Sequence, residues 1–274
     1  MYRNIDLSLN RTYWKYEGNA CYHFMRPHPY KSVEAIKPKY QRCGTSFRKD
    51  MSDLVRIFKN RYQNCKYVIA LSGGIDSELV AETFYKLNIP FRAITLRLFN
   101  GRNDYDIFRA YEYCKKRNID LQIVNLSLDK FITKVIPSAV EFGEFTHSLS
   151  QVALTYLFSK MEPSDILIFS GHNPDFRDGT AGWLEDSPNL VKYAKNTYRN
   201  FFTFTSLEPI FIHYAKNYDP SELGDKNSAF IYEAYPELTE RTKFTGWEDN
   251  LDIQRNYSHL LDQSVNEEIF ITWK

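Results

Sequence analysis

A short polar segment with two adjacent glycines is the part of the sequence best suited to bind a ligand. It reads Ser72-Gly73-Gly74-Ile75-Asp76-Ser77 and follows the apolar run KYVIAL at 66–71. Such a run predicts a buried strand, and the apolar spacing over 76–87 predicts a helix. Adjacent glycines let backbone N–H groups approach a ligand, and the helix N-terminus adds unsatisfied donors and partial positive charge. The segment therefore predicts an anion-binding turn that suits a phosphate group.

The acid in this turn indicates that a cation accompanies the phosphate. A Walker loop needs Gly-x-x-x-x-Gly-Lys followed by Ser or Thr, but this segment has no lysine and carries Asp76 instead. A carboxylate beside a phosphate is repelled unless a cation lies between them, so the sequence predicts Mg²⁺ there. The alternative is a tight turn in which Asp76 only complements the helix dipole. The context of strand, turn and helix favours the phosphate site.

This turn resembles the SGGxDS motif of the PP-loop, or N-type, ATP pyrophosphatases. That family includes asparagine synthetase, argininosuccinate synthetase, GMP synthetase, NAD synthetase and the tRNA lysidine and thiouridine enzymes. The resemblance covers about 64–176. It implies that the turn binds the pyrophosphate of ATP together with Mg²⁺, and that the enzyme cleaves between the α and β phosphates.

A second motif follows the fourth predicted strand, DILIF at 165–169. It reads Ser170-Gly171-His172-Asn173-Pro174-Asp175 and resembles the SGxxxD signature of the asparagine synthetase branch and the GHxxD signature of the tRNA lysidine synthetase branch. Ligands bind beyond the carboxyl ends of strands at a switch point of an open sheet, so Asp175 is expected to face Asp76 across one Mg²⁺. The alternative is an Asn-Pro turn with a solvated carboxylate.

The resemblance assigns roles to individual residues. Catalytic roles fall to Asp76, Asp175 and Ser77, and the metal ligands are Asp76 and Asp175. The residues expected to contact the nucleotide are Ala70, Leu71, Ser72, Gly73, Gly74, Asp76, Ser77, Leu96, Arg97 and Gly171. Leu96 and Arg97 are included among the expected nucleotide contacts because, in this family, the end of the second strand supplies the adenosine site. Nothing in the sequence selects among the downstream cations Lys192, Lys195, Lys216, Arg241 and Lys243.

Strands and helices alternate through the middle of the chain. Strands are predicted at 66–71, 91–98, 119–126 and 165–169, and helices at 46–63, 76–87, 104–117 and 148–161. Ile107, Phe108 and Tyr111 are expected to face inward from the 104–117 helix. Such alternation predicts right-handed crossovers and a doubly wound, Rossmann-like α/β fold with a parallel sheet of order 3-2-1-4-5.

The flanking regions are less regular. Residues 1–64 are interpreted as an irregular arm and a packing helix, 65–176 as the ATP domain, and 177–274 as an extension that completes the substrate site. Beyond 176, helices are predicted near 188–199 and 221–235, with one or two strands in the aromatic stretch 200–214.

Charge and cysteine content exclude several classes of protein. The 35 Lys and Arg against 34 Asp and Glu leave a net charge of +1, so the chain lacks the global basic footprint of a protein held to nucleic acid phosphates. Its 4 cysteines form no CxxC pair, which argues against zinc and against sulfur transfer.

No apolar run approaches membrane-helix length, and no signal peptide is recognised, so a cytoplasmic protein is expected. Tyr2 and the short segment before the first strand argue against a fused glutaminase.

The expected reaction is adenylation of a substrate by ATP, with displacement of AMP by ammonia or an amine. This describes an AMP-forming ligase like asparagine synthetase without a glutaminase domain. Two alternatives stay open: a tRNA-modifying, nucleobase-modifying or sulfur-transferring PP-loop enzyme, and a non-catalytic nucleotide-binding module. RNA binding would need a basic face, for which the candidates are Arg42, Arg48, Lys49, Arg56, Lys59 and Arg61.

Aromatic residues make up 16% of the chain although its mean hydropathy is only −0.48. Most of the excess lies outside 65–176. The two aromatic-rich flanks are expected to pack on each other or on a second copy of the chain in a homodimer, and an aromatic substrate pocket is the alternative.

Overall fold

The computed structural model describes residues 30–35, 46–143, 149–170, 175–177, 180–184, 187–204, 213, 229–238, 257–261 and 268–273. The strands in this part of the chain are β1 (Tyr30–Ala35), β2 (Lys66–Ala70), β3 (Phe91–Arg97), β4 (Leu121–Asn125), β5 (Asp165–Phe169), β6 (Asp175–Arg177), β7 (Thr180–Leu184), β8 (Asn200–Thr203) and β9 (Glu268–Trp273). The α-helices are α1 (Phe47–Arg61), α2 (Ile75–Lys86), α3 (Asp104–Arg117), α4 (Ile136–Gly143), α5 (Leu149–Phe158), α6 (Ser187–Asn196) and α7 (Ala229–Ala234).

Five parallel strands form the main sheet, in the order β4-β3-β2-β5-β8. Every neighbouring pair in it is parallel. Numbered by their occurrence within this sheet, the strands run 3-2-1-4-5, so the predicted order and the α/β class are confirmed. The order reverses between β2 and β5, and β2 is the strand that leads into the glycine turn.

Helices cover both faces of this sheet. Tyr67 and Ile69 on β2 point into one buried cluster, which α1, α2, α3 and α7 complete. Val68, between them, points into the opposite cluster, with α4, α5 and α6. Successive side chains of a strand point to opposite faces of the sheet, and here both faces are buried. This explains why the sequence of β2 is an unbroken apolar run.

The predicted inward face of α3 is partly wrong. Ile107 is buried, but Phe108 and Tyr111 are 60% and 46% exposed. Their places toward the core are taken by Ala110, Tyr113 and Cys114, which lie in the first cluster. The helix adjoins β4, the outer strand of the sheet, and nothing among the described residues covers its far side.

The structure confirms a strand within the aromatic stretch 200–214, and the helix predicted near 188–199 corresponds to α6. Within the aromatic stretch, β8 becomes the fifth strand of the main sheet, so that sheet extends past residue 176. In the connection after β4, which contains Pro137, a π-helical segment at Phe131–Val135 leads into α4. Residues 205–212 and 221–228, also assigned above, lie outside the described part.

A second sheet has the order β1-β9-β7-β6. Its strand β1 runs parallel to β9, and β7 is antiparallel to both β6 and β9. Residues 30–35 were expected to be irregular, and this is wrong, because they pair with a strand more than 230 residues further along the chain. Such a long-range pairing has no local sequence signal. Among the described residues, no helix is long and apolar enough to cross a membrane.

Candidate functional site

The glycine turn adopts a conformation that requires glycine at one position. Gly73 has φ +80°, in the left-handed region that other residues rarely adopt. A Cβ added there would lie 2.3 Å from the carbonyl oxygen of Asp106. The turn therefore packs its backbone directly against the first turn of α3, and no side chain fits between them.

Two serines fix the shape of this turn. The buried Ser77 hydroxyl donates to the Gly74 carbonyl oxygen at 2.9 Å and accepts the Ser72 N–H at 3.1 Å. The two serine hydroxyls are 3.0 Å apart, and the Ser72 hydroxyl also accepts the Gly74 N–H at 3.3 Å. Ser77 thus ties the entry of the turn to its exit. The geometry makes it a residue that positions the turn.

The N-terminus of α2 faces the same turn. Gly74 is the N-cap, so it supplies no capping side chain to the first N–H groups of the helix. Asp76 lies in the first helical turn and is half-buried. Asp76 therefore lies in the helix turn that also carries the unsatisfied backbone donors and the positive end of the helix dipole.

Seven of the residues expected to contact the nucleotide lie between Ala70 and Ser77, and the first turns of α3 pack against this segment. The Cβ of Arg109 would lie 3.2 Å from a Cβ at Gly73, and its guanidinium carbon lies 4.3 Å from the centre of the Tyr105 ring. Sequence reasoning missed Asp106 and Arg109 as neighbours of the turn. The polar run before α3 marks a helix start but does not say which loop that helix contacts.

The end of β3 is held by a buried asparagine. Asn103 donates to the Leu96 carbonyl oxygen at 2.7 Å and accepts the Leu98 N–H at 2.8 Å. Arg97 forms a two-pronged ion pair with Asp104, with distances of 2.6 and 2.7 Å. Their hydrogen bonds lower the pKa of the Asp104 carboxyl and raise that of the Arg97 guanidinium. Leu96 and Arg97 are thus tied to the first turn of α3, the turn that also meets Gly73.

The second predicted motif is only partly described. Gly171 lies outside the described residues, and Asp175 begins β6. The expectation that its carboxylate joins Asp76 stays a prediction. Of the downstream cations, Lys192 and Lys195 lie on α6, while Lys216, Arg241 and Lys243 lie outside the described residues.

The described residues hold no group of three or more His, Cys, Asp or Glu side chains that could bind a metal by themselves. Mg²⁺ in phosphate-transfer sites usually keeps waters and substrate oxygens and takes one or two carboxylates from the protein. A half-buried Asp76 beside the predicted anion-binding turn fits that pattern. A single carboxylate does not fit a site that binds Mg²⁺ in the absence of a nucleotide, because too few protein ligands are then available.

Two further expectations are clarified by the packing. Burial raises the pKa of the Cys114 thiol to about 12, so this thiol stays protonated and unreactive at neutral pH. On the predicted basic face, Arg48 lies 2.7 Å from Glu237, and Arg56 lies 3.0 Å from Asp53. Two of the six candidate cations are therefore neutralised within the chain, and Arg42 lies outside the described residues.

No family model and no curated protein sequence matches the chain. A solved NH3-dependent NAD synthetase from Campylobacter jejuni, in complex with nitrate, is 20% identical; the match covers 80% of this chain and 87% of that one, with a TM-score of 0.39. An NMN synthetase from Francisella tularensis is 16% identical over 72% of this chain and 98% of its own, with a TM-score of 0.32. A predicted subunit of tRNA methyltransferase from Methanocaldococcus jannaschii is 18% identical over 63% of this chain and 87% of its own, with a TM-score of 0.33. These identities and TM-scores are low, so the fold class rests on the strand order itself.

Proposed function

We propose that the chain is a PP-loop ATP pyrophosphatase that adenylates a substrate and transfers it to ammonia or an amine. The observation that carries the proposal is the preorganised turn at 72–77. Its backbone is fixed by the Ser72 and Ser77 hydroxyls, and Gly73 leaves no room for a side chain. A rigid set of backbone donors at a helix N-terminus binds a polyphosphate without having to reorganise.

Each residue of the turn has a role in this reaction. Backbone N–H groups at the start of α2 would bind the β and γ phosphates, and Ser77 would keep them in position. Asp76 would hold Mg²⁺ against the phosphates, with Asp175 as the second carboxylate. The ion would neutralise charge that develops on pyrophosphate as it leaves.

The proposed chemistry has two steps. A substrate oxygen attacks the α phosphorus, the bond from that phosphorus to the α,β-bridging oxygen breaks, and pyrophosphate leaves with the electron pair. Ammonia or an amine then attacks the activated carbon, AMP leaves, and the nitrogen loses a proton. The chain contributes mainly positioning and charge neutralisation.

The nitrogen nucleophile is preferred to sulfur for a physical reason. Enzymes that transfer sulfur typically use paired or activated cysteines, whereas the 4 cysteines of this chain form no CxxC pair and burial keeps the Cys114 thiol protonated. An RNA substrate is not favoured, since Arg48 and Arg56, two of the candidate cations, are already paired with acids.

The test is to measure AMP, ADP and pyrophosphate from ATP and Mg²⁺ with ammonium and a metabolite extract. We expect AMP and pyrophosphate in equal amounts, and we expect Asp76→Asn to reduce both at least about a hundredfold. The matched control is Asp53→Asn, an exposed acid on α1 beside Arg56, which should leave the rate unchanged. Formation of ADP and phosphate instead, or full activity in Asp76→Asn, would contradict the proposal. Tight MgATP binding without turnover on any extract would support the non-catalytic alternative.

A further inference from the structure

Exposed apolar side chains gather on α3 and on the outer strand β4. Tyr105, Phe108 and Tyr111 are 48%, 60% and 46% exposed, and Ile123 is 40% exposed. These are four of the eight large apolar side chains that are exposed within the described residues. Phe108, Tyr111 and Ile123 border a shallow groove together with the Arg97–Asp104 ion pair. A patch of this kind, with a charged rim, is typical of a protein interface.

Four residues form one straight stripe along this helix: Asp104, Phe108, Tyr111 and Lys115. Their spacing of four, three and four residues places them on one side of the helix, as in the seam of a two-helix coiled coil. All four are exposed. The Lys115 ammonium lies 5.6 Å from the centre of the Tyr111 ring, so neighbours along the stripe do point the same way.

The stripe is complementary to itself when it is reversed. It runs acid, aromatic, aromatic, base, and its midpoint falls between Phe108 and Tyr111. A twofold axis through that midpoint sets Asp104 opposite the partner's Lys115 and Phe108 opposite the partner's Tyr111. Closed dimers with twofold symmetry use one patch against itself in this manner.

We propose that a second copy of this chain docks on the α3 stripe, giving an antiparallel homodimer. The occupant follows from charge complementarity, because two copies of this stripe set Asp104 opposite Lys115 at both ends only when one copy is reversed relative to the other. Asp104 can accept the lysine while it keeps Arg97, since a carboxylate has about four acceptor positions and Arg97 uses two. This proposal is independent of the proposed ATP chemistry.

The dimer is expected to be weak. A few exposed side chains along a helix of 14 residues cover less than the roughly 800 Å² per partner of a standard interface. We therefore expect a dissociation constant in the micromolar range, with affinity that falls as salt screens the two outer charge pairs.

Sedimentation equilibrium of the full chain across the micromolar range tests the proposal. The wild type should dimerise, and Phe108→Glu should weaken dimerisation at least about tenfold because it places two carboxylates at the centre of the interface. The matched control is Ile57→Glu, which makes the same change at a 51% exposed site on α1 and should dimerise like the wild type. Circular dichroism checks that each variant is folded.

A second pair of variants tests the antiparallel register. Lys115→Glu sets an acid opposite the partner's Asp104 and should weaken the dimer, whereas Lys116→Glu changes the net charge equally but lies off the stripe and should not. A wild type that is monomeric throughout the micromolar range would overturn the proposal. So would a dimer that survives Phe108→Glu, or equal effects of the two lysine variants.

Discussion

At the scale of single residues, the two glycines of the turn are not equivalent. Gly73 has positive φ and lies against the Asp106 carbonyl oxygen. Gly74 has φ −89°, and a Cβ there would meet only the Ser72 hydroxyl, at 3.4 Å. A methyl group is therefore forbidden at one position and fits the other with ordinary contact.

The first prediction compares these two glycines. Gly73→Ala should push the turn away from α3, lower the melting temperature and abolish measurable MgATP binding, at a cost of about 2 kcal/mol or more in unfolding free energy. Gly74→Ala should keep the wild-type melting temperature. Thermal denaturation and calorimetric titration with MgATP measure the two effects. Equal behaviour of the variants would contradict the role given to Gly73.

The motif could be found from sequence because all of its residues are adjacent. Strand, turn and helix are fixed by neighbours within a few positions, so the turn at 72–77 was predicted from sequence, whereas the positioning role of Ser77 was not. The contact of the turn with Asp106 and Arg109 joins residues more than 30 positions apart. Such a contact depends on how α3 packs, which local patterns do not encode.

At the scale of elements, helices α2 and α3 are joined by a buried ion pair. Glu82 lies 2.6 Å from Arg117, and their side chains are 1% and 8% exposed. The Tyr113 hydroxyl also donates to Glu82, at 2.9 Å. Burial, followed by the charge of Glu82, raises the pKa of Tyr113, which keeps its hydroxyl protonated and able to donate. Two side chains of α3 therefore bond to the same carboxylate oxygen of Glu82, Oε2.

The second prediction tests whether the Glu82–Arg117 ion pair stabilises the fold, or whether each charge only offsets the cost of burying the other. Arg117→Ala leaves the Glu82 charge buried with less neutralisation and should cost about 3 kcal/mol in unfolding free energy. The double variant Glu82→Gln with Arg117→Met removes both charges and should recover most of that loss. Urea denaturation measures both. A double variant less stable than Arg117→Ala would show that the pair itself stabilises the fold.

Element positions were predictable where hydrophobic periodicity is strong. The predicted strand at 165–169 and the predicted helix at 104–117 have the bounds found for β5 and α3. The orientation of α3 was partly wrong because Phe108 and Tyr111 continue its apolar pattern, and a pattern cannot show that the neighbouring strand is the last in the sheet. Phe108 and Tyr111, which this orientation leaves exposed, belong to the surface proposed for the dimer.

At the scale of the whole molecule, the aromatic flanks complete the core. Phe202 and Phe204 pack against Phe58 of α1, with ring centres 4.8 and 5.2 Å apart. Tyr235 hydrogen bonds to Thr83 of α2 through their hydroxyls, at 3.0 Å. The expectation that the two aromatic flanks pack on each other stays a prediction, because the aromatic side chains of the N-terminal flank before α1 lie outside the described part of the structure. The residues after 176 pack on α1 and on the central domain.

The last prediction concerns where the chain can be cut. Within the described residues, a chain that ends at 176 lacks eleven buried apolar side chains, among them Phe201, Phe202, Phe204, Ile231 and Tyr235. Burial of each of these five contributes about 2 kcal/mol, so the five together supply on the order of 10 kcal/mol. That equals the whole stability of a typical domain, and β5 would also become an open edge.

The chain that ends at 176 should therefore give no cooperative urea transition and should aggregate. A chain that ends at 238 keeps all five side chains together with β8, and it should unfold cooperatively. Near-ultraviolet circular dichroism during urea denaturation distinguishes the two, because fixed aromatic packing gives a signal that is lost when the core loosens. Cooperative unfolding of the shorter chain would mean that 1–176 folds alone and that the aromatic segment is an accessory to a complete ATP domain.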